Sequence, residues 1–82
     1  MTVETFDLPE LGDGVVAGEL VEWYAAPGDA VAAGKPVAAV ETGKTVVDVP
    51  SPADGTVVER DVEAGATVLV GGPFLSIDVT DD

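Results

Sequence analysis

Residues 18–40 read GELVEWYAAPGDAVAAGKPVAAV, and residues 55–77 read GTVVERDVEAGATVLVGGPFLSI. Shifting one stretch by 37 positions places it on the other. The identical positions are Gly18/Gly55, Val21/Val58, Glu22/Glu59, Gly28/Gly65, Val31/Val68, Gly34/Gly71 and Pro36/Pro73. Leu20/Val57, Val37/Phe74 and Val40/Ile77 match in apolar character. Two copies are too few for a solenoid. The repeat therefore predicts two similar halves that complete one hydrophobic core.

Both copies, and the segment between them, carry the signals of β-strands. Five short runs are rich in Val and other β-formers and are bounded by Gly, Pro or Asp: GELVEWYA, PVAAVET, TVVDVP, GTVVERDV and PFLSIDV. No segment keeps apolar residues at i, i+3, i+4 and i+7 over a helical length. Pro and Gly interrupt the Ala-rich stretch between the first two runs. The sequence predicts an all-β fold, either two facing sheets or a flattened barrel.

The length and composition exclude most kinds of catalyst. A chain of 82 residues predicts one domain spanning residues 1–82, with a small core and little room for a deep substrate pocket. It has no cysteine and no histidine, so it lacks thiol nucleophiles, the usual soft metal ligands and a serine–histidine triad. We expect no catalytic residue and no metal site. The start of the chain has no leader pattern, and no apolar run could span a membrane, so we expect a cytoplasmic protein.

The charge is strongly negative. The chain has sixteen aspartate and glutamate residues but only three basic residues, Lys35, Lys44 and Arg60, which gives a formal net charge of −13. Such a surface repels nucleic acid and anionic lipid, so neither is expected as a partner. The acids have two interpretations, a solvated halophile-type surface or a docking face for a basic partner. Because they are spread along the chain without a block of like charges, the first is favoured.

The two copies are joined by a segment that predicts a tight hairpin. Two strand-like runs, Val37–Glu41 and Thr45–Val49, flank a short connection that contains a glycine. Lys44 is therefore expected at a hairpin tip, with its amine in solvent. The 37-residue offset relates Lys44 to Asp81, so the lysine and the chain end are expected at opposite poles. A tethered carrier requires this arrangement.

Four stretches together resemble the lipoyl domain of the acyltransferase (E2) components of 2-oxo acid dehydrogenases. They are LPELGDG at 8–14, GELVEWYAAPGDAV at 18–31, VETGKTVVDVPSPADG at 40–55 and GGPFLSIDV at 71–79. The family motif around the modified residue is Glu-Thr-Asp-Lys-Ala. Here it is Glu41-Thr42-Gly43-Lys44-Thr45, with glycine in place of aspartate and threonine in place of alanine.

The resemblance implies a flattened β-barrel of two four-stranded sheets with pseudo-twofold symmetry. It also implies lipoic acid in amide linkage to Lys44, attached by a lipoate ligase or lipoyl transferase. The arm would carry acyl groups and reducing equivalents between a thiamine-dependent decarboxylase (E1), the acyltransferase core (E2) and dihydrolipoamide dehydrogenase (E3). The domain would be a non-catalytic, monomeric carrier. Amide formation would remove one positive charge and take the net charge from −13 to about −14.

Several residues near Lys44 are candidates for recognition by other enzymes. Glu41, Thr42, Gly43 and Thr45 flank the lysine on the hairpin. In the family, the loop corresponding to residues 9–14 lies beside the modified lysine and helps the decarboxylase choose its domain. Glu10 and Asp13 are the candidates there, and a merely solvated loop is the alternative.

Other residues have plainer interpretations. Trp23 and Tyr24 could form a partner-binding patch, but such residues more often pack over the core with one polar edge near water. Lys35 is interpreted as an ordinary solvated lysine. Asp48 and Asp54 are interpreted as acids of a strand face and a turn.

Two other functions stay open at this point. A biotin carboxyl carrier domain shares the fold and the hairpin lysine, but that family places methionine on both sides of the lysine. Here the neighbours are Gly43 and Thr45, and Met1 is the only methionine. The third possibility is an unmodified structural or adaptor module of the same fold. The sequence leaves open which oxo acid is used, and whether the domain is free-standing or part of a longer acyltransferase.

Overall fold

A computed structural model describes residues 2–79 and arranges them as eight strands in two antiparallel sheets. The strands are β1 (Thr2–Asp7), β2 (Ala17–Trp23), β3 (Ala30–Val31), β4 (Pro36–Glu41), β5 (Val46–Pro50), β6 (Gly55–Arg60), β7 (Thr67–Leu69) and β8 (Pro73–Val79). One sheet has the order β1-β8-β6-β3 and the other β5-β4-β2-β7. The predicted fold class, with its two four-stranded sheets, is confirmed. Within the described residues there is no helix with the length and apolarity needed to cross a membrane.

The internal repeat reappears in the hydrogen bonds that join the two halves. The Gly28 N–H donates to the Val57 carbonyl at 2.8 Å, and the equivalent Gly65 N–H donates to the Leu20 carbonyl at 2.7 Å. β2 and β6 are thus equivalent strands, and the Gly28 and Gly65 turns are each bonded to the other half. Neither half satisfies its own backbone groups alone, which is the physical reason that the two copies form one unit.

The repeat also fixes where the hairpin and the chain ends lie. β4 and β5 pair through Glu41 and Val46 next to the hairpin, whereas β8 and β1 pair through Val79 and Thr2. The hairpin in one half therefore occupies the place that the two chain ends occupy in the other. The described residues extend over 38 × 21 × 18 Å. The turn before Pro36, at the end of β4 away from the hairpin, is bonded through Ala33 to Asp54, which precedes the partner of Val79. The hairpin and the paired residues Thr2 and Val79 therefore lie at opposite ends of the molecule. Asp81, which the offset relates to Lys44, lies outside the described residues.

The core between the sheets is small and built mainly from valine, leucine and alanine. Its buried members are Leu8, Leu20, Ala25, Val37, Ala38, Val40, Val49, Val57, Val68, Phe74, Leu75 and Ile77. Members come from both copies and from the segments between and before them. Because valine and alanine bury less area than larger side chains, such a core supplies a modest hydrophobic free energy.

Three strands were not among the five runs that the sequence predicts. β3 has two residues and β7 has three, too few for an alternating pattern to be visible. β1 reads TVETFD and is mostly exposed, so it lacks a clear apolar face. It exists because it pairs with β8, about 70 residues away along the chain. All three are held by long-range pairing, which a local pattern does not reveal.

Gly55 is required by the close approach of two strands, so Gly55→Ala should destabilise the domain strongly. A Cβ at this position would overlap the backbone carbonyl oxygen of Asp78 and lie 2.7 Å from Ile77 Cγ2. β8 lies between β1 and β6, so its backbone has no room to withdraw. We expect a loss of about 3 kcal/mol. The thermal midpoint should fall by about 12–24 °C, measured by circular dichroism.

Gly28→Ala is the matched control for this substitution. A Cβ on Gly28 would meet nothing within 4 Å, although its φ of +96° is strained for other residues. This variant should lose only about 1–2 kcal/mol. Equal midpoints for the two variants would contradict the packing argument.

Candidate functional site

Lys44 lies on the hairpin that joins β4 to β5. The last strand pair before the turn is Glu41 opposite Val46. The Thr42 N–H donates to the Thr45 carbonyl at 2.9 Å, and the Thr42 hydroxyl donates to the same oxygen at 3.2 Å. These two bonds close the turn around Gly43 and Lys44. The Lys44 side chain is exposed, so its amine projects into solvent at one pole of the molecule.

Gly43 supplies the backbone conformation that turns the chain before the lysine. Its φ is +96°, in the region that favours glycine. A Cβ at this position would meet nothing within 4 Å, so the constraint is conformational and not steric. Gly43 therefore orients Lys44 through the backbone and leaves open space beside it.

The base of the hairpin carries two exposed side chains that the sequence does not single out, those of Glu19 and Val46. Glu41 pairs with Glu19 of β2 across the sheet, and both are exposed. Like charges placed directly opposite on neighbouring strands repel each other. Val46, opposite Glu41, is 53% exposed. Only the strand register brings Glu19 to the hairpin, and the linear sequence does not show that register.

The loop before β2 lies near the root of the hairpin. A Cβ on Gly18 would lie 3.0 Å from the Glu41 carbonyl oxygen and 3.6 Å from Leu11 Cδ1, so both residues are neighbours of Gly18. The Val15 N–H donates to the Gly12 carbonyl at 3.2 Å, which places Asp13 at the apex of a turn. Glu10 and Asp13 are exposed. The structure thus brings this loop to the hairpin, while the recognition roles of both acids stay predictions.

Trp23 packs over the core and is half-buried. Its ring stacks on Phe74, with the ring centroids 4.8 Å apart. Its indole N–H donates to the Val62 carbonyl at 2.8 Å. The other face lies under Arg60, whose Cζ is 5.7 Å from the ring centroid. This geometry fits the expectation of an aromatic residue that covers the core with one polar edge outward.

Asp48, Asp54 and Lys35 have the plain roles that the sequence suggests. The Asp48 carboxylate lies on the outer face of β5 and accepts a hydrogen bond from the Tyr24 hydroxyl at 3.1 Å. The Asp54 carboxylate accepts from the Ala33 N–H at 2.8 Å and fixes a turn. Lys35 is exposed, and its backbone is held in the turn before β4 by bonds to Ala32 and Ser51.

The phenol of Tyr24 should titrate at unusually high pH. Its hydrogen bond to Asp48 raises the pKa of Tyr24 above its ordinary value of about 10, and desolvation and the charges of Asp48 and Glu22 act in the same direction. A raised pKa in the folded state means that the interaction stabilises the fold below pH 10 and is lost as pH rises further. Tyr24 is the only tyrosine, so tyrosinate absorbance reports it directly.

Asp48→Ala should move that titration midpoint down, because it removes both the hydrogen bond and the nearby charge. Glu4→Gln, on the other sheet, should leave the midpoint unchanged. An equal midpoint in the parent and in Asp48→Ala would contradict the assignment.

The chain consists of two quasi-equivalent β-halves, and the hairpin that joins them exposes a lysine at one end of the molecule. This combination defines the class of biotinyl and lipoyl domains. The chain belongs to the biotin/lipoyl attachment family, whose model is described as biotin-requiring enzyme and matches residues 4–77.

Several curated relatives match nearly the whole chain. The chain is 41% identical over 76 residues to the dihydrolipoyllysine-residue acetyltransferase component of the pyruvate dehydrogenase complex of Staphylococcus aureus. It is 40% identical over 76 residues to the protein with the same description in Staphylococcus epidermidis. Each match covers 93% of this chain but only 18% of the relative. The chain thus spans less than a fifth of the length of these relatives.

Solved structures support the same family. The lipoyl domain of the 2-oxoglutarate dehydrogenase complex from Azotobacter vinelandii matches with a TM-score of 0.72 and 27% identity, covering 94% of this chain and 98% of that one. A single-chain, multi-domain long-chain acyl-CoA carboxylase matches with a TM-score of 0.76 and 24% identity, over 98% of this chain and 7% of that one. At that identity the second likeness shows the fold alone. The descriptions of these relatives and of the first structure favour a lipoyl domain over a biotin carrier.

Proposed function

We propose that Lys44 carries lipoic acid in amide linkage and that this domain moves the group between the active sites of a 2-oxo acid dehydrogenase complex. The observation that supports this most directly is the place of Lys44 on the exposed tip of the β4–β5 hairpin. The pole of the chain ends is opposite, so a tether or a further domain at that pole would not obstruct the lysine.

The residues around Lys44 fit an amide-linked arm. The lysine supplies a primary amine and four methylene groups, and the open space beside Gly43 leaves the arm free to rotate. Thr42 and Thr45 hold the turn, so a ligase would meet the backbone around Lys44 in one defined conformation. When bound, the dithiolane would supply a disulfide that can take up an acyl group with two electrons, pass the acyl group to an acceptor thiol, and be restored by two-electron oxidation of the resulting dithiol.

The protein itself would contribute position and recognition, without catalytic groups. In this proposal a lipoate ligase or lipoyl transferase reads Glu41, Thr42, Gly43 and Thr45. The decarboxylase (E1) reads the neighbouring loop through Glu10 and Asp13, and the acyltransferase core (E2) and dihydrolipoamide dehydrogenase (E3) act on the arm in turn. Residues 1–82 would act as one monomeric carrier unit in the cytoplasm. A flexible arm raises the local concentration of the reactive group at each partner.

The test has two stages. Intact-mass measurement of the protein from its native host should show one lipoyl increment, with fragmentation placing it on Lys44. A biotinyl increment would support the biotin carrier instead, and an unmodified chain would support an adaptor role. The lipoylated domain is then offered to thiamine-dependent decarboxylases specific for pyruvate, 2-oxoglutarate or branched-chain oxo acids, and to the thiamine-dependent enzyme that cleaves acetoin. Acylation by one of them would name the complex, and acylation by none would overturn the shuttle proposal.

A further inference from the structure

A groove lies on the pseudo-twofold axis between β2 and β6, away from the hairpin. It holds about 620 Å³. Eight of its lining residues form four pairs related by the 37-residue offset: Val21/Val58, Glu22/Glu59, Trp23/Arg60 and Pro27/Ala64. We call it the axial groove. Two of these pairs, the valines and the glutamates, are identical in both halves, so the groove carries each of these side chains twice.

The β-bulges of β2 and β6 turn apolar side chains outward into the axial groove. The bulges lie between Leu20 and Glu22 and between Val57 and Glu59. In a regular strand, the residue next to a glutamate that faces solvent would point to the core. Here Val21 and Val58 are 48% and 44% exposed, beside glutamates that are exposed as well. Bulges re-aim side chains in this way, often next to functional sites.

The axial groove combines this apolar surface with an excess of negative charge. Glu22, Glu59 and Glu63 line it, against the single guanidinium of Arg60. Arg60 lies over the Trp23 ring, so part of its surface is already covered. A partner that fills the groove must therefore bring apolar surface for the valines and positive charge for the glutamates. An acidic or purely polar segment would meet repulsion or leave the valines in water.

We propose that the axial groove docks a partner protein through a segment in which aliphatic side chains alternate with lysine or arginine. The surface is separate from the lysine site. Trp23 pairs with Ala38 towards one end of β4, whereas Glu41 at the other end leads into the hairpin. A partner bound in the axial groove would leave Lys44 free to move. This inference goes beyond the carrier role and holds whether or not Lys44 is modified.

Trp23 provides a direct probe, because it is the only tryptophan and it lines the groove. The probe ligand is a capped peptide, Lys-Val-Arg-Leu-Lys. One control peptide carries serine at the two aliphatic positions, and another carries glutamate at the three basic positions. We expect saturable changes in tryptophan fluorescence with the first peptide and binding at least about tenfold weaker with each control. Amide shifts in NMR spectra should centre on β2 and β6. Equal affinity for all three peptides would overturn the proposal.

Variants of the domain locate the binding surface. Val21→Ser combined with Val58→Ser should weaken the binding of the Lys-Val-Arg-Leu-Lys peptide by about tenfold. Val16→Ser combined with Val46→Ser is the matched control, since these valines are 73% and 53% exposed outside the groove. Glu59→Gln should weaken binding and reduce its salt dependence, while Glu4→Gln should not. The proposal fails if both valine pairs behave alike, or if amide shifts spread evenly over the acidic surface.

Discussion

Lys44→Arg is expected to abolish lipoylation completely while the domain folds as before. A ligase joins lipoate to a primary amine, and a guanidinium is a different group that keeps its charge. Lys44 is exposed on a hairpin tip, so the change removes no packing and no buried hydrogen bond. Co-expression with a lipoate ligase, followed by intact-mass measurement, should show full modification of the parent and none of the variant. The thermal midpoints should agree within about 2 °C, as expected for a surface substitution.

Lys35→Arg is the matched control, because Lys35 is the only other lysine and is also exposed. It should be modified as fully as the parent. Lipoate on Lys35, or retained by Lys44→Arg, would refute the assignment of the attachment site.

A second control separates position from composition. The double change Gly43→Lys with Lys44→Gly keeps every residue type but moves the amine by one position. It also places a lysine at φ +96°, a conformation that residues with a Cβ adopt at a cost. We expect almost no modification of this variant. Efficient modification would show that the ligase reads local sequence alone.

Most of the fold prediction is based on the internal repeat. Matching Gly28 with Gly65 and Leu20 with Val57 predicted two equivalent halves, and the same four residues form the equivalent bonds between the halves. Glycine and valine at these places meet requirements of turns and core that apply to both copies. This is why the repeat was visible although most other positions have diverged.

The three strands that the sequence does not predict depend on pairing with strands that are far away in the chain. β1 is a strand because β8 offers it backbone groups, and the short β3 and β7 exist for the same reason. The sequence also does not predict that the side chains of Val21 and Val58 point into solvent. Their exposure follows from β-bulges that shift the register, and a bulge has no signature in a run of apolar and acidic residues.

The candidate site was predictable where a motif is local. Glu41 to Thr45 are neighbours in sequence, so their place on one hairpin followed from the flanking strands. The approach of Leu11 to the hairpin root and the pairing of Glu19 with Glu41 depend on the tertiary fold. Recognition through Glu10 and Asp13 stays a prediction, because it depends on the surface of a second protein.

Added salt is expected to raise the thermal midpoint of this domain by about 10 °C between about 0.01 and 1 M potassium chloride. At the lower concentration the Debye length is roughly 30 Å, close to the 38 Å long axis, so nearly all charge pairs interact. At 1 M it is roughly 3 Å, and only adjacent charges still repel each other. The net charge of −13 acts on a small core of mainly valine, leucine and alanine. Each kcal/mol by which screening lowers the repulsion in the folded state raises the thermal midpoint of a domain of this size by roughly 4–8 °C.

The pairing of Glu19 with Glu41 allows a local test of the same argument. The two exposed glutamates face each other across β2 and β4, so Glu19→Gln removes a directly opposed like-charge pair. It should raise the midpoint in low salt more than Glu4→Gln does, because the cross-strand partner of Glu4 is the uncharged Ile77. Both variants should respond less to salt than the parent. If the parent melts at one temperature across the whole range, repulsion among the acids does not limit stability. The acids would then be better explained as a docking face for a basic partner.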